Sequence, residues 1–357
     1  MREVLGGPVL VVGAGLLGTS LGLALRAQGI EVFLADLNEE NLRTASGLGA
    51  GSAAVAPGDV QVVVVAVPPD HLGRVIADAL TDTTAVVTDV GSIKGAPLAE
   101  VRGLVPAEAL ERYVGSHPMA GSERSGPLAG SSVLFDGRPW AVAPHASSSP
   151  RAVALVTALA KACGATPFPF SPDEHDEAVA RTSHLPHVVA ALVAGALAGA
   201  PPEHLVLSGQ GVRDVTRIAA GDPRLWEQIL TANSVALTGL LREVRSDLDG
   251  LLSALESGSR PALNEILGRG VAGTAAIPGK HGGPAVAETG VFVAVPDHPG
   301  ELARLFADVG EIGVNVEDVR IDHDPGRPVG LVELTVAADR AEHLLHALAD
   351  RSWSAHR

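Results

Sequence analysis

Short runs of consecutive apolar residues, separated by stretches of helical length, dominate the chain from residue 8 to about residue 145. Runs of this kind are typical of strands buried on both faces of a parallel sheet. The runs are Val9–Val12, Val32–Ala35, Val62–Val67 and Ala85–Val90, with later strands expected near Tyr113–Val114 and Trp140–Val142. The pattern predicts a βαβ series, and hence an α/β domain of Rossmann type with a doubly wound parallel sheet over residues 1–171.

Helical spacing replaces the strand pattern from about Pro172 onwards. Segments rich in Ala and Leu have helical periodicity over 178–200, 203–219 and 225–255, with a Gly-Asp-Pro break at 221–223. An all-helical domain is therefore expected over 172–270. Helices this apolar bury most of their surface, and a second copy of the chain is the expected partner, so a homodimer is predicted.

The last part of the chain has a third pattern. A stretch rich in Gly, Ala and Pro over 271–288 lacks periodicity and predicts a linker. Beyond it, strands are expected at 291–295, 314–322 and 330–336, and helices at 300–310 and 340–349. This βαββα order predicts a small ferredoxin-like α+β domain over 289–357. The last strand of such a domain is hard to find in 351–356.

The composition of the chain excludes several classes of binding partner. The net charge of −15 excludes the uniformly basic surface that nucleic acid requires. The single cysteine excludes a disulfide framework and a cysteine-based zinc site. The sequence has neither a signal-peptide pattern nor an apolar run of membrane-spanning length, so we expect a soluble, cytoplasmic protein with no membrane partner. An anionic substrate would need a local cluster of Arg and His.

The turn after the first predicted strand has the pattern of a dinucleotide site. The sequence GAGLLG at 13–18 opens a helix, and Asp36 ends the next strand near the usual spacing of about 20 residues. The glycines allow a tight turn, close approach of a pyrophosphate and close helix–strand packing. Asp36 would bind ribose hydroxyls and repel a 2′-phosphate, which favours NAD over NADP. The expected cofactor contacts are Gly13, Gly15, Leu16, Leu17, Gly18, Asp36, Val67, Pro68 and Ser92.

Two segments, 89–94 and 115–123, follow strands at the expected carboxyl edge of the sheet, where ligands of open α/β sheets bind. His117 precedes Pro118 and is therefore held in an extended conformation. A neutral imidazole there could accept a proton from a substrate hydroxyl while hydride leaves the same carbon. Ser92 could orient that ring or the nicotinamide, although a lone loop histidine is often structural.

Two polar pairs interrupt the helical segments. Ser183 and His187 are four residues apart, as are Arg213 and Arg217, so each pair is expected on one helical face, although Pro186 perturbs the first. The arginine pair indicates a carboxylate site, with salt bridges to acidic residues of the chain as the alternative. The histidine spacing lacks a third ligand, so no metal is expected.

Taken together, these segments resemble the prephenate/arogenate dehydrogenases of tyrosine biosynthesis over essentially the whole chain. The motifs that carry the resemblance are the GxGxxGTS start, DVGSIK at 89–94, GSHPMAG at 115–121, SHLPH at 183–187 and RDVTRIA at 213–219. The resemblance implies an oxidative decarboxylation. Hydride passes from C4 of the cyclohexadienol ring to NAD, and the ring carboxylate leaves as CO2 while the ring becomes aromatic.

The resemblance also implies roles for individual residues. His117 would accept a hydrogen bond from the C4 hydroxyl, and Ser92 would bridge substrate, His117 and nicotinamide. Arg217 would pair with a substrate carboxylate, foremost the ring carboxylate, and Arg213 would add positive potential at the mouth of the site. The contacts with the side-chain end of the substrate would be Ser183, His187 and Ser122.

The C-terminal domain resembles an ACT domain, a small ligand-binding regulatory module. The segment DHPGEL at 297–302 matches its first strand-to-helix turn, and NVED at 315–318 matches the start of its second strand. The resemblance implies tyrosine as a feedback effector, bound near Asp297, Gly300 and Asn315. A module that only dimerises is the alternative.

Three other interpretations stay open. The arogenate enzyme differs from the prephenate enzyme only in an amino rather than a keto group on the substrate side chain. Another β-hydroxyacid-type NAD dehydrogenase would carry a catalytic lysine in the first helical segment, but 178–200 contains none. A non-enzymatic sensor of NAD and amino acids would tolerate the loss of His117.

Overall fold

A computed structural model describes residues 5–54, 58–121, 124–277, 287–323 and 329–357. The chain forms two compact units, Met1–Asp249 and Gly250–Arg357. The first unit contains both the α/β part and most of the helical part, so the boundary predicted at 171 does not separate two compact bodies.

A four-stranded parallel sheet with the order β2-β1-β3-β4 begins the first unit. Its strands are β1 (Val9–Val12), β2 (Val32–Ala35), β3 (Val62–Val65) and β4 (Val86–Asp89). Every residue of β3 and β4 is buried, which is why these segments are apolar without alternation. The helices that accompany the sheet are α1 (Leu16–Ala27), α2 (Glu39–Gly47), α3 (Leu72–Asp82), α4 (Gly95–Leu104) and α5 (Ala107–Leu110).

A second sheet, of three strands, corrects the prediction of a wholly parallel arrangement. It contains β5 (Gly115–Pro118), β6 (Pro139–Ala143) and β7 (Thr166–Pro169), and α6 (Pro150–Ala162) connects the last two. β5 and β6 are antiparallel, whereas β6 and β7 are parallel. A parallel bridge from Val87 to Tyr113 joins β4 to the segment that leads into β5. The carboxyl end of β4 and the start of β5 are thereby neighbours.

Aliphatic side chains cover both faces of the parallel sheet. Leu21 and Leu25 of α1 and Leu155 and Leu159 of α6 are buried in one core, which also contains Trp140. The opposite core is built by α3 and α4; its members include Leu72, Ile76, Leu80, Leu98 and Val101. Small aliphatic residues thus fill both layers, as the composition of 3% aromatic residues requires.

The helical part is more divided than predicted. Its elements are α7 (Pro172–Val179), a π-helical turn (Ala180–His184), α8 (Leu185–Ala198), α9 (Pro202–Leu205), α10 (Gln210–Arg217), α11 (Pro223–Ala232), α12 (Ser234–Glu256) and α13 (Arg260–Ala275). The predicted helix over 203–219 is broken between α9 and α10, and the one over 225–255 is broken at Asn233. α7 packs against α4, and α11 packs against residues 69–71. These contacts explain why the α/β and helical parts form one unit.

The linker predicted over 271–288 is partly wrong. α13 continues to Ala275, so the first five residues of that stretch are helical, because alanine favours helix even beside glycine. Residues 278–286 lie outside the described part of the chain. No helix of the described ranges is long and apolar enough to span a membrane.

The second unit contains an antiparallel sheet with the order β11-β8-β10-β9. The elements are β8 (Glu288–Pro296), α14 (Glu301–Ile312), β9 (Asp318–His323), β10 (Val329–Ala337), α15 (Ala341–Asp350) and β11 (Ser354–His356). This βαββαβ order is that of a ferredoxin-like unit. The last strand, hard to find in the sequence, has only three residues and pairs with β8 after Ser352, whose φ is 67°.

Candidate active site

The loop between β1 and α1 needs two of its glycines for packing. Gly13 has a φ of +105°, and a Cβ there would lie 2.3 Å from the carbonyl oxygen of Ala66. A Cβ on Gly18 would lie 1.8 Å from the carbonyl oxygen of Gly13. Gly15 differs, since a Cβ there would have no atom within 4 Å. Gly15 therefore leaves an open approach to the backbone, which is what a pyrophosphate requires.

The N-terminus of α1 is suited to an anion. Gly15 is its N-cap and offers no capping side chain, and the first turn contains no acidic residue. The backbone amides of Leu16 and Leu17 lie in that first turn, where N–H groups have no partner within the helix. Their donors and the positive end of the helix dipole fit a diphosphate.

Asp36 follows the last residue of β2, beside this loop. Its Oδ2 accepts from the backbone N–H of Ala14 at 2.6 Å, and its Oδ1 accepts from that of Asn38 at 2.7 Å. These bonds hold the carboxylate at the loop, and each oxygen keeps a second lone pair for a ribose hydroxyl. Val67 and Pro68 follow β3, the strand on the other side of β1; Val67 is half-buried and Pro68 is exposed. The predicted cofactor residues other than Ser92, which follows β4, thus lie at the carboxyl ends of β1, β2 and β3.

We expect Asp36→Ser to raise the KM for NAD about tenfold or more and to raise activity with NADP, because a charged acceptor for ribose is lost. Steady-state rates with each cofactor measure both effects. Asp78→Ser, at an exposed position on α3, is the matched control. An unchanged preference for NAD in Asp36→Ser would contradict the assignment.

A buried ion pair connects β4 to β5. Lys94 is 1% exposed, and its Nζ contacts the carboxylate of Asp89 and donates to the carbonyl of Ser116 at 2.7 Å. The Tyr113 hydroxyl donates to Asp89 Oδ1 at 2.8 Å. Burial lowers the pKa of Lys94, although Asp89 opposes that shift. The pair secures the backbone on which His117 lies.

His117 lies on β5 and Ser92 lies just after β4, and the carboxyl end of β4 neighbours the start of β5. His117 is half-buried, and burial lowers its pKa well below the ordinary value, assisted by His175, Lys94 and His184. The imidazole is therefore neutral at neutral pH, as acceptance of a proton requires. The Ser92 hydroxyl has no hydrogen-bond partner among the described residues, so it is available to a ligand.

Two residues that the sequence interpretation missed contact this site from α7. Nε2 of His175 lies 3.0 Å from Nδ1 of His117, and Nδ1 of His175 lies 2.8 Å from Oδ1 of Asp176. Asp176 also accepts from the backbone N–H groups of Lys94 and Gly95, each at 2.8 Å. The available signal was the adjacent His-Asp pair, which follows a capping box at the start of α7.

The Ser183 and His187 pair lies where α7 passes into α8. Pro186 has no backbone N–H and interrupts the α-helical ladder, and the turn before it is π-helical, with the N–H of Leu185 donating to the Ala180 carbonyl. Ser183 is exposed, whereas His187 is 7% exposed. The two side chains therefore do not share one equally accessible face, because the π turn changes the spacing around the helix.

His187 stacks on Trp226 of α11, with ring centroids 3.5 Å apart and planes 9° apart. Burial lowers the pKa of His187, and the backbone of Ile218 acts in the opposite direction. His184 is buried, and its Nδ1 lies 3.2 Å from Nδ2 of Asn233. Burial lowers the pKa of His184 to about 4. His184 and Trp226 were not predicted as site residues, and the scarcity of tryptophan was the only signal for Trp226.

Arg213 and Arg217 lie one helical turn apart on α10, and both are exposed. Neither forms an ion pair with a carboxylate in the described ranges, so the alternative of structural salt bridges is not observed there. Arg217 immediately precedes Ile218, the residue that faces His187. Two unpaired guanidinium groups are thus available for carboxylates near His187. Ser122 lies outside the described residues.

The residues predicted for regulation lie in the second unit. Gly300 has a φ of +96° and is the N-cap of α14, and Asp297 is exposed in the turn before it. Asn315 precedes β9, and its Nδ2 donates to Glu317 Oε1 at 2.6 Å. Gly300 and Asn315 therefore flank the two ends of α14.

A dinucleotide loop, a neutral histidine at the sheet edge and a helical part with free arginines define an NAD-dependent dehydrogenase of an anionic substrate. Residues 21–167 match the family model described as prephenate dehydrogenase, nucleotide-binding domain. Residues 171–269 match its dimerization domain. The chain belongs to the prephenate dehydrogenase family, which confirms the predicted family and the predicted cofactor NAD.

Individual relatives agree with this placement. The chain is 37% identical to the probable prephenate dehydrogenase NovF of Streptomyces niveus, over 97% of this chain and 98% of that protein. Prephenate dehydrogenase from Aquifex aeolicus, solved with hydroxyphenyl propionate and NAD+, has a TM-score of 0.67 at 26% identity, over 75% of this chain and 97% of that one. Arogenate dehydrogenase from Synechocystis has a TM-score of 0.65 at 26% identity, over 75% and 98%.

Proposed function

We propose that the protein catalyses the NAD-dependent oxidative decarboxylation of prephenate to 4-hydroxyphenylpyruvate, CO2 and NADH, in tyrosine biosynthesis. The observation that carries the proposal is the position of His117 on β5, next to the carboxyl end of β4 that Ser92 follows. Burial lowers the pKa of His117 well below its ordinary value, which keeps this imidazole able to accept a proton. Membership of the family supplies the substrate class. A cytoplasmic location is part of the proposal, as for soluble biosynthetic enzymes of this kind.

The reaction removes a hydride and a carboxylate from one ring. As the hydrogen on C4 leaves with its electron pair, the pair of the C1–carboxylate bond moves into the ring, so CO2 and a phenol are formed. When bound, NAD supplies the acceptor for that hydride. The C4 hydroxyl becomes acidic during this step, and His117 stabilises it by accepting its hydrogen bond and returning the proton to the phenol. No net proton is released.

Substrate binding is proposed to depend on charge. Prephenate carries a ring carboxylate and a side-chain carboxylate, and Arg217 would bind the ring carboxylate through two parallel hydrogen bonds. Ser183, His187 and Ser122 would contact the side-chain end. Arg213 would raise the positive potential where the substrate enters an otherwise acidic protein.

Arogenate is the second candidate substrate, favoured by the similarity to the Synechocystis arogenate dehydrogenase. Its side chain has an ammonium group where prephenate has a keto oxygen, so both substrates share the ring that reacts. A dehydrogenase of another β-hydroxyacid is less favoured, because residues 178–200 contain no lysine.

We expect NADH to form when the protein is mixed with NAD and prephenate, with a kcat/KM at least about tenfold above that for arogenate. Absorbance of NADH and release of CO2 measure the reaction, and heat-treated protein is the control. A kcat/KM in favour of arogenate would assign the second candidate instead. No NADH with either substrate would refute both.

The second unit is proposed to be an ACT-like regulatory domain that binds tyrosine. Its βαββαβ order and the motifs at 297–302 and 315–318 support this. Tyrosine, the end product of the pathway, would bind near Asp297, Gly300 and Asn315 as a feedback effector.

Tyrosine is expected to lower the initial rate of the full chain, and Asn315→Ala is expected to weaken tyrosine binding about tenfold by removing a polar contact. Titration calorimetry and inhibition curves measure the two effects. Asn264→Ala, exposed on α13, is the matched control. If tyrosine neither binds nor inhibits, the domain is left with dimerisation as its role.

A homodimer is proposed from the helical part. Large apolar side chains there are strongly exposed in the single chain; they include Leu192 (68%), Val206 (83%), Leu207 (87%), Val215 (48%) and Val235 (90%). Apolar surface of this extent is typical of a subunit interface, and the match to the family's dimerization domain supports it.

A further inference from the structure

The carboxylate of Asp176 on α7 forms three hydrogen-bond contacts. Its two carboxylate oxygens accept from the backbone N–H groups of Lys94 and Gly95, each at 2.8 Å. Its Oδ1 also lies 2.8 Å from Nδ1 of His175. A carboxylate has no donor and only accepts hydrogen bonds. Nδ1 of His175 must therefore carry the proton and donate to Asp176.

The other nitrogen of His175 faces His117. Nε2 of His175 lies 3.0 Å from Nδ1 of His117. With its proton on Nδ1, a neutral His175 presents a lone pair at Nε2, so Nδ1 of His117 must donate across this contact. Nε2 of His117 is then left with a lone pair. The reverse arrangement would place two lone pairs against each other between His175 and Asp176.

Both imidazoles are held in the neutral form. Burial lowers the pKa of His175, and Lys94 acts in the same direction, whereas the hydrogen bond to Asp176 opposes them. Burial lowers the pKa of His117 further, with His175, Lys94 and His184 as the groups that face it. Two neutral rings in contact need one donor and one acceptor, so a proton on one ring decides the tautomer of the other.

We infer that His175 and Asp176 are positioning residues that hold His117 in the tautomer with a free lone pair on Nε2. The inference rests on the proposed function, in which that lone pair accepts the hydrogen bond of the C4 hydroxyl. A carboxylate that selects the tautomer of a single histidine is worth orders of magnitude in serine proteases. In this protein the selection passes through a second imidazole, and Asp176 ties it to the backbone after β4.

The tautomer can be observed without substrate by nitrogen-15 NMR of the histidine-labelled full chain. The signals of His117 are identified by their loss in His117→Asn. We expect His117 to be protonated on Nδ1 at neutral pH in the wild type and in His175→Gln, because the Gln Oε1 can accept in place of Nε2. In His175→Leu no acceptor remains, and we expect that preference to be lost. Protonation of wild-type His117 on Nε2 would overturn the inference, whatever the activity.

Turnover provides a second readout. His175→Leu is expected to lower kcat roughly tenfold to a hundredfold with KM changed less than about threefold, because the buried Nδ1–H of His117 loses its acceptor. His175→Gln is expected to stay within about fivefold of wild type, and His343→Leu, exposed on α15, is the control. Equal losses in the Gln and Leu variants, at unchanged Tm, would contradict the inference. Absence of turnover with prephenate and arogenate would refute the proposed function and leave the NMR result decisive for the tautomer.

Discussion

Replacement of His117 by asparagine lowers kcat by roughly 10²- to 10⁴-fold, the range typical of a lost general base. Asparagine keeps a polar side chain of smaller size, but its amide cannot take up a proton as the C4 hydroxyl becomes acidic. The loss should fall on kcat rather than on the KM for NAD, because the cofactor loop lies on other strands. Steady-state rates at saturating prephenate and NAD measure the effect.

The matched control for this variant is His346→Asn, an exposed histidine on α15. It should retain the wild-type rate and Tm. A His117→Asn enzyme within about threefold of wild type would exclude His117 as the base and would favour the sensor interpretation, in which this residue has no chemical role.

The same residue predicts the acid side of the pH profile. His117 acts as an acceptor only when neutral, and burial holds its pKa well below the ordinary value of 6.5. Activity should therefore persist as the pH falls through 6.5 and decline only at a lower pH, when the ring becomes protonated. A decline centred at or above 6.5 would mean that His117 is more accessible to solvent than its half-buried position implies.

Removal of the Arg217 guanidinium in Arg217→Ala raises the KM for prephenate roughly tenfold to a hundredfold, because a charge-assisted pair with a carboxylate is lost. kcat should change much less, provided that the carboxylate is bound to a similar extent before and during the reaction. The two values are separated by measuring rates over a wide range of prephenate concentration.

Substitutions of two other arginines serve as comparisons for Arg217→Ala. Arg213→Ala, one turn earlier on α10, should raise KM by less than about fivefold, and its effect should shrink at high salt as expected for a long-range charge. Arg151 lies beside Gly7 and Asp59, at the amino end of the sheet. The substitution Arg151→Ala should therefore leave the KM for prephenate unchanged. A KM that is unchanged in Arg217→Ala would refute the carboxylate role.

The cofactor loop was predictable because its requirements are local. Gly13 and Gly18 are needed within one turn of chain, where a Cβ would collide with the backbone of Ala66 or of Gly13 itself. Asp36 follows from the fixed length of a βαβ unit. The sequence therefore contains the whole cofactor loop as a contiguous pattern.

The contacts that join His117 to His175 and His175 to Asp176 could not be predicted in the same way. His175 and His117 are far apart in sequence, and their contact exists only because α7 packs against α4 and the carboxylate of Asp176 binds the amides at its start. Each residue alone is an ordinary polar residue of a helix or a strand. Contacts of this kind depend on tertiary packing, which local patterns do not encode.

By itself, the sequence determined the class of the α/β part, the cofactor, the candidate base and the family, because apolar periodicity, glycine positions and short motifs are local properties. Only the tertiary structure decided the antiparallel β5–β6 pair, the division of the helical part, the short last strand and the group of buried side chains around His117. These depend on which surfaces meet, and burial then sets the protonation of each histidine by removing water from it.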